Sequence, residues 1–100
     1  MIRAGSLEIN LADRIVKRGG EEIKLTATEY ALLKLLALNA GKVVTQKQLL
    51  REIWGPNAEE QSQYLRVYVR QLRKKLEDDP DQPQFLITEP GVGYRFLADE

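Results

Sequence analysis

The sequence predicts an α+β fold, with an N-terminal antiparallel sheet, a three-helix core and a C-terminal β-hairpin. Three observations carry that reading. Apolar and polar residues alternate ahead of residue 26, two threonine-led helix starts follow, and a Pro-Gly pair divides two short apolar stretches near the C-terminus.

In the first quarter, Leu7, Ile9 and Leu11 alternate with Glu8 and Asn10, as in a strand with one buried face. Residues 14–18 and 22–25 flank Gly19-Gly20, a pair that accepts the positive φ angles of a tight hairpin turn. Thr26-Ala27-Thr28-Glu29 fits a capping box, with Thr26 as N-cap, Glu29 reaching back, and Leu25 and Tyr30 spaced as a hydrophobic staple. A first helix is expected from there to about Asn39, with Leu32, Leu33, Leu35 and Leu36 toward the core and Gly41 available to end it. Thr45 and Gln48 repeat the pattern, with Val44 and Leu49 as the staple, and open a second helix that runs to about Trp54. Gly55-Pro56-Asn57 breaks it, and a polar connector through about Glu60 leads to a third helix over residues 61–76.

In that third helix Leu65, Val69, Leu72 and Leu76 are spaced to form one narrow apolar stripe. At about 100° per residue, Gln63, Val67, Arg70, Gln71 and Lys74 fall opposite the stripe, with Arg66 and Arg73 on one shoulder. Asp79-Pro80 closes the helical region, because proline disfavours a helical residue ahead of it. Residues 85–88 and 93–97 then flank Glu89-Pro90-Gly91-Val92, whose Pro90 and Gly91 suit the central positions of a type II turn.

Composition narrows the functions open to such a chain. With 43% hydrophobic and 30% charged residues over 100 positions, it has the make-up of one folded domain rather than a disordered tail or a two-domain enzyme. The longest apolar-rich stretch, residues 30–38, is broken by Lys34 and falls well short of the ~20 residues needed to cross a bilayer. No membrane partner is expected. Cysteine and histidine are both absent, which removes disulfides, thiolate metal sites, Ser-His-Asp triads and the usual zinc sites. A cytoplasmic protein that is not an enzyme, with no cofactor and no metal, is the expectation.

Fifteen cations balance fifteen anions, and zero net charge taken alone argues against a nucleic-acid partner. The distribution reverses that argument. Residues 61–76 carry Arg66, Arg70, Arg73, Lys74 and Lys75 with no acid, whereas Glu77, Asp78, Asp79 and Asp81 follow directly. Three helices and a hairpin, with the third helix basic on its outward side, make a winged helix-turn-helix arrangement suited to duplex DNA. A major groove admits one helix, and arginine, lysine and glutamine can donate to guanine or pair with adenine edges. Cations are also favoured near any helix C-terminus by the macrodipole, so a plain solvated surface is the competing account. Against it stand the missing acids and the valine and glutamine interleaved with the basic residues. Since fold does not fix function, a winged-helix module that docks on an acidic protein is the alternative. The acidic cluster after the helix has no histidine and no glycine-containing calcium-loop spacing, and it reads as a solvated end region.

Longer motifs sharpen the reading. Thr26-Ala27-Thr28-Glu29-Tyr30 with Leu32-Leu33, Gly41-Lys42-Val43-Val44-Thr45, Gln48-Leu49-Leu50, Trp54-Gly55, residues 67–76 (VYVRQLRKKL) and Gly91-Val92-Gly93-Tyr94-Arg95-Phe96 occur in this order over nearly the whole chain. Together they resemble the DNA-binding effector domain of OmpR/PhoB-type response regulators. Trp54-Gly55-Pro56-Asn57-Ala58 and Tyr64-Leu65-Arg66 are most similar to the subgroup that regulates high-affinity potassium-transport operons.

The resemblance implies a four-stranded N-terminal sheet, a third helix that enters the major groove, and a wing that approaches the neighbouring minor groove. It further implies that residues 1–100 form one effector domain whose phosphoaccepting receiver domain lies outside this chain. Gln63, Tyr64, Arg66, Val67, Arg70, Gln71 and Lys74 become candidates for the groove and its phosphates. Arg70 ranks first, because its guanidinium can bind guanine or phosphate in a bidentate way. Thr88 and Trp54 match backbone-contacting positions, although a strand role for Thr88 and core packing for Trp54 are equally open. Gln46 can offer its side chain and backbone N–H to a phosphate at the start of the second helix. Tyr94 and Phe96 are expected in the core. Where several relatives carry arginine this chain has Pro90, which removes the simplest minor-groove contact, and Arg95 is no obvious substitute. Pro56, Asn57, Ala58, Glu59 and Glu60 correspond to a loop that faces RNA polymerase in this family. Head-to-tail dimers on direct repeats of double-stranded DNA complete the expected partners.

Overall fold

Ile2, Ile9, Val16 and Ile23 stand in one row across four antiparallel strands, β1 (Ile2–Ala4), β2 (Leu7–Asn10), β3 (Ile15–Arg18) and β4 (Glu21–Ile23), ordered as in the chain. The computed structural model describes residues 1–99, with all of their side chains except those of Glu59 and Glu60. Ala4, Leu7, Ile9 and Val16 are buried from this sheet. Gly19 and Gly20, with φ of 60° and 86°, make the β3–β4 turn that only glycine adopts without strain. β1 is an addition to the strands read from alternation, since three residues are too few to show a period.

Helix α1 (Ala27–Leu38) begins with both arms of the capping box formed: the Glu29 amide donates to Thr26 Oγ1 at 3.2 Å and the Thr26 amide donates to Glu29 Oε1 at 2.9 Å. Leu32, Leu33 and Leu36 are fully buried, while Leu35 is half-buried against the same core. Asn39 ends the helix by donating its side-chain amide to the Leu35 carbonyl at 2.8 Å. Strand β5 (Val43–Thr45) follows, and then helix α2 (Gln46–Trp54), with Thr45 accepting from the Gln48 amide at 3.1 Å. The connector after Gly55 is more ordered than its polar composition suggested. Ala58–Gln61 form a 3₁₀ turn, and Ala58 is 3% exposed.

Helix α3 (Ser62–Leu76) crosses the core, and β6 (Leu86–Glu89) and β7 (Gly93–Phe96) form the C-terminal hairpin. The Val92 amide donates to the Glu89 carbonyl at 3.0 Å and Gly91 has φ of 76°, as a type II turn at Pro90-Gly91 requires. The hairpin is not alone. β5 pairs antiparallel with β7, so the wing is rooted in a three-stranded sheet of order β5-β7-β6. Gly93 makes that pairing possible, because a Cβ there would sit 2.0 Å from the Val44 carbonyl oxygen.

Candidate nucleic-acid interface

Four apolar residues decide which side of α3 is free. Leu65, Val69, Leu72 and Leu76 are at most 1% exposed. Each contributes about 1.5–3 kcal/mol by burial, so rolling the helix to present another face would cost on the order of 10 kcal/mol. The opposite face is fixed by that commitment. Gln63, Tyr64, Arg66, Val67, Arg70, Gln71 and Lys74 are all exposed, so the structure brings together every helix residue singled out in the sequence. Arg66, Arg70 and Lys74 follow at four-residue spacing and form one basic row, with no acid anywhere in α3. Tyr64 and Val67, 52% and 51% exposed, add apolar surface beside it.

The other two cations of the helix turn inward. Lys75 Nζ donates to Glu29 Oε1 at 2.6 Å and to the Lys24 carbonyl at 3.2 Å. Burial pushes the Glu29 carboxyl up, but the Lys75 and Thr26 hydrogen bonds outweigh it and hold the group below its ordinary value. Arg73 reaches the wing. Its Nε and Nη2 donate to the Leu86 carbonyl at 3.0 and 2.9 Å, and Nη2 also donates to Thr88 Oγ1 at 2.6 Å. Its guanidinium carbon lies 5.8 Å from the Tyr94 ring centroid. Burial draws the Arg73 pKa down, with Tyr94 and Glu77 opposing that shift.

The acidic segment departs from the expectation of a solvated helix end. Glu77 is 2% exposed, and its carboxylate accepts from the amides of Gln84 at 2.7 Å, Phe85 at 3.0 Å and Leu86 at 2.9 Å. A buried carboxylate is tolerated there because three N–H donors replace its water. Asp78 is exposed and pairs with Arg18 at 2.5 Å, and Asp79 accepts from the Asp81 amide at 3.0 Å. These acids are therefore spent on the chain's own donors. Among the described residues no acidic, cysteine or histidine group could hold a metal ion, and no helix is long and apolar enough to cross a membrane.

Around the helix, Thr88 is exposed on β6, with its oxygen already accepting from Arg73. Trp54 is half-buried, and its ring packs on Tyr68 with centroids 5.6 Å apart. Gln46 requires a correction, because its backbone N–H donates to the Val92 carbonyl at 3.0 Å and only its side chain is left to offer. The pairing of β5 with the hairpin, which alternation did not reveal, brings Val92 there. Pro56 and Asn57 are exposed, whereas buried Ala58 drops out of the loop's outer face. The Glu59 and Glu60 side chains lie outside the described residues. Pro90, Gly91 and Val92 are exposed at the wing tip, and Tyr94 and Phe96 are buried. Arg95 is held on the wing by Glu89 at 2.6 Å, in line with its reading as no substitute for a tip arginine.

Comparison with known proteins agrees with this architecture. Residues 20–96 match the family described as transcriptional regulatory protein, C terminal. The chain is 52% identical over 97 residues to the KDP operon transcriptional regulatory protein KdpE of Escherichia coli (strain K12), covering 97% of this chain and 43% of that protein. It thus spans less than half the length of the curated relatives it matches. Among solved structures, DrrB, an OmpR/PhoB homologue of Thermotoga maritima, superposes with a TM-score of 0.85 at 36% identity, over 93% of this chain and 42% of that one. The DNA-binding domain of RstA from Klebsiella pneumoniae, solved in complex with the RstA box, also gives 0.85, at 32% identity over 96% and 95% of the two chains.

Proposed function

The chain belongs to the family of transcriptional regulatory protein C-terminal domains, and from that premise we propose that it is a sequence-specific double-stranded DNA-binding domain, the output module of a two-component response regulator. One observation carries the reading. The face of α3 that the core leaves free holds Arg66, Arg70 and Lys74 in a row, beside Gln63, Tyr64, Val67 and Gln71, with no acid among them. From Gln63 to Lys74 that face runs about 16 Å along the axis, enough to follow a major groove over several base pairs. Arg70 and Gln71 are the base-reading candidates, and exposed Val67 suits a thymine methyl. Arg66, Lys74 and the hydroxyl of Thr88 are assigned to phosphates, together with the Gln46 side chain and the Trp54 indole. The complex of a relative with its RstA box supports DNA as the partner.

In this proposal residues 1–100 are one effector domain of a cytoplasmic regulator and perform no catalysis. The exposed Pro56-Asn57 corner, continued by Glu59 and Glu60, faces RNA polymerase. Two copies sit head to tail on direct repeats. Selection of binding sites from a random duplex pool tests the core of this. A recovered tandem motif is the expected result, and no enrichment would transfer the basic face to an acidic protein partner instead.

A further inference from the structure

We infer that Arg73 is a positioning residue of the DNA interface: it turns the Thr88 hydroxyl proton outward as a phosphate donor and fixes the wing at a set distance from α3. The inference rests on the proposed DNA-binding function and deepens it, since Arg73 itself is turned away from the exposed face of the helix.

The chemistry of the pair makes the direction of the proton unavoidable. A guanidinium has N–H donors and no acceptor, so its bond to Thr88 Oγ1 at 2.6 Å uses an oxygen lone pair. The hydroxyl hydrogen cannot return to Arg73. Thr88 is exposed on β6, two residues ahead of the wing tip, so the hydrogen is left for a group outside the protein. The same guanidinium holds the Leu86 carbonyl through two N–H groups, at 3.0 and 2.9 Å. Glu77, one turn further along the chain, accepts from the Leu86 amide at 2.9 Å. β6 is thereby hung from the last turn of α3 by both its N–H and its C=O, and Thr88 is carried at a fixed offset from Arg70 and Lys74. A lysine at position 73 would keep the charge, but it lacks the planar fork by which Nε and Nη2 grip the Leu86 carbonyl together while Nη2 also reaches Thr88.

The test is a titration of the selected cognate duplex and a scrambled duplex of equal length, at several salt concentrations. Thr88→Val and Arg73→Lys are each expected to weaken both duplexes by a similar factor, about 3- to 10-fold for one lost hydrogen bond. Neither variant removes a charge, so each should leave the salt slope unchanged, and Thr88→Ser should retain wild-type binding. The double variant Arg73→Lys with Thr88→Val should bind no more weakly than either alone, because Arg73 acts through Thr88. Wild-type affinity in Arg73→Lys, or losses that add in the double variant, would overturn the inference. If Arg73→Lys proves unfolded by its melting curve, Thr88→Val decides, and wild-type affinity in that variant overturns it. A wild-type domain that binds neither duplex overturns the DNA reading itself, which is a separate outcome.

Discussion

Arg73 and Glu77 stand one turn apart on the end of α3 and hold opposite sides of a single residue, Leu86: Arg73 donates to its carbonyl and Glu77 accepts from its amide. Helix α3 and the wing are thus joined through charged side chains and backbone, in addition to the apolar core. Leu86 itself is fully buried, so neither backbone group has water to fall back on.

Glu77 is the more exposed of the two to failure by mutation, because three amides depend on its carboxylate. Glu77→Ala is expected to cost about 2–4 kcal/mol, the penalty for buried donors left without a partner. Glu77→Gln, which keeps one carbonyl oxygen, should cost less. Urea unfolding followed by circular dichroism measures both, and a Glu77→Ala midpoint equal to that of the wild type would contradict the buried-acceptor role.

Gly93→Ala addresses the root of the wing. Its Cβ would meet the Val44 carbonyl oxygen at 2.0 Å, a backbone atom that cannot move without giving up the β5–β7 ladder. A loss of about 3 kcal/mol, the upper end for overpacking, is expected in thermal melting. Gly19→Ala, which meets nothing within 4 Å, should cost less than this, through its positive φ alone.

Much of this was legible from the residues alone. The capping box at Thr26, the Pro90-Gly91 turn and the apolar stripe of α3 are local patterns, and each is set by spacings of one to four residues. The outward face follows from the stripe by helical geometry. What the sequence concealed depends on contacts between distant segments. β5 shows no period in three residues and exists because β7 pairs with it. Glu77 looked like any acid in a polar run, until residues 84–86 folded back over it. Arg73 and Lys75 counted equally with Arg66, Arg70 and Lys74 in the charge tally; helical spacing left them off the outward face, but gave no sign of their partners Thr88 and Glu29. Gln46 lost its backbone donor to Val92 for the same reason.

Glu29 predicts a pH dependence. Its folded pKa lies below the ordinary value of 4.5, with the Lys75 and Thr26 hydrogen bonds outweighing burial. A depressed carboxyl pKa stabilises the fold fully above 4.5, and that contribution is lost as pH falls from there through the folded value. Stability measured from about pH 6 down to about pH 3 should therefore fall on the acid side, and Glu29→Gln should flatten part of the fall. An unchanged profile in Glu29→Gln would contradict the assignment.

The central claim is that the exposed face of α3 reads DNA, and Arg70 tests it most directly. Arg70 is exposed in the middle of the basic row, so Arg70→Ala should melt like the wild type. Titrated against the selected duplex, it should lose about 1–3 kcal/mol, roughly 5- to 150-fold in affinity, with a smaller loss on a scrambled duplex. Binding of the selected duplex by Arg70→Ala with wild-type affinity would contradict the account.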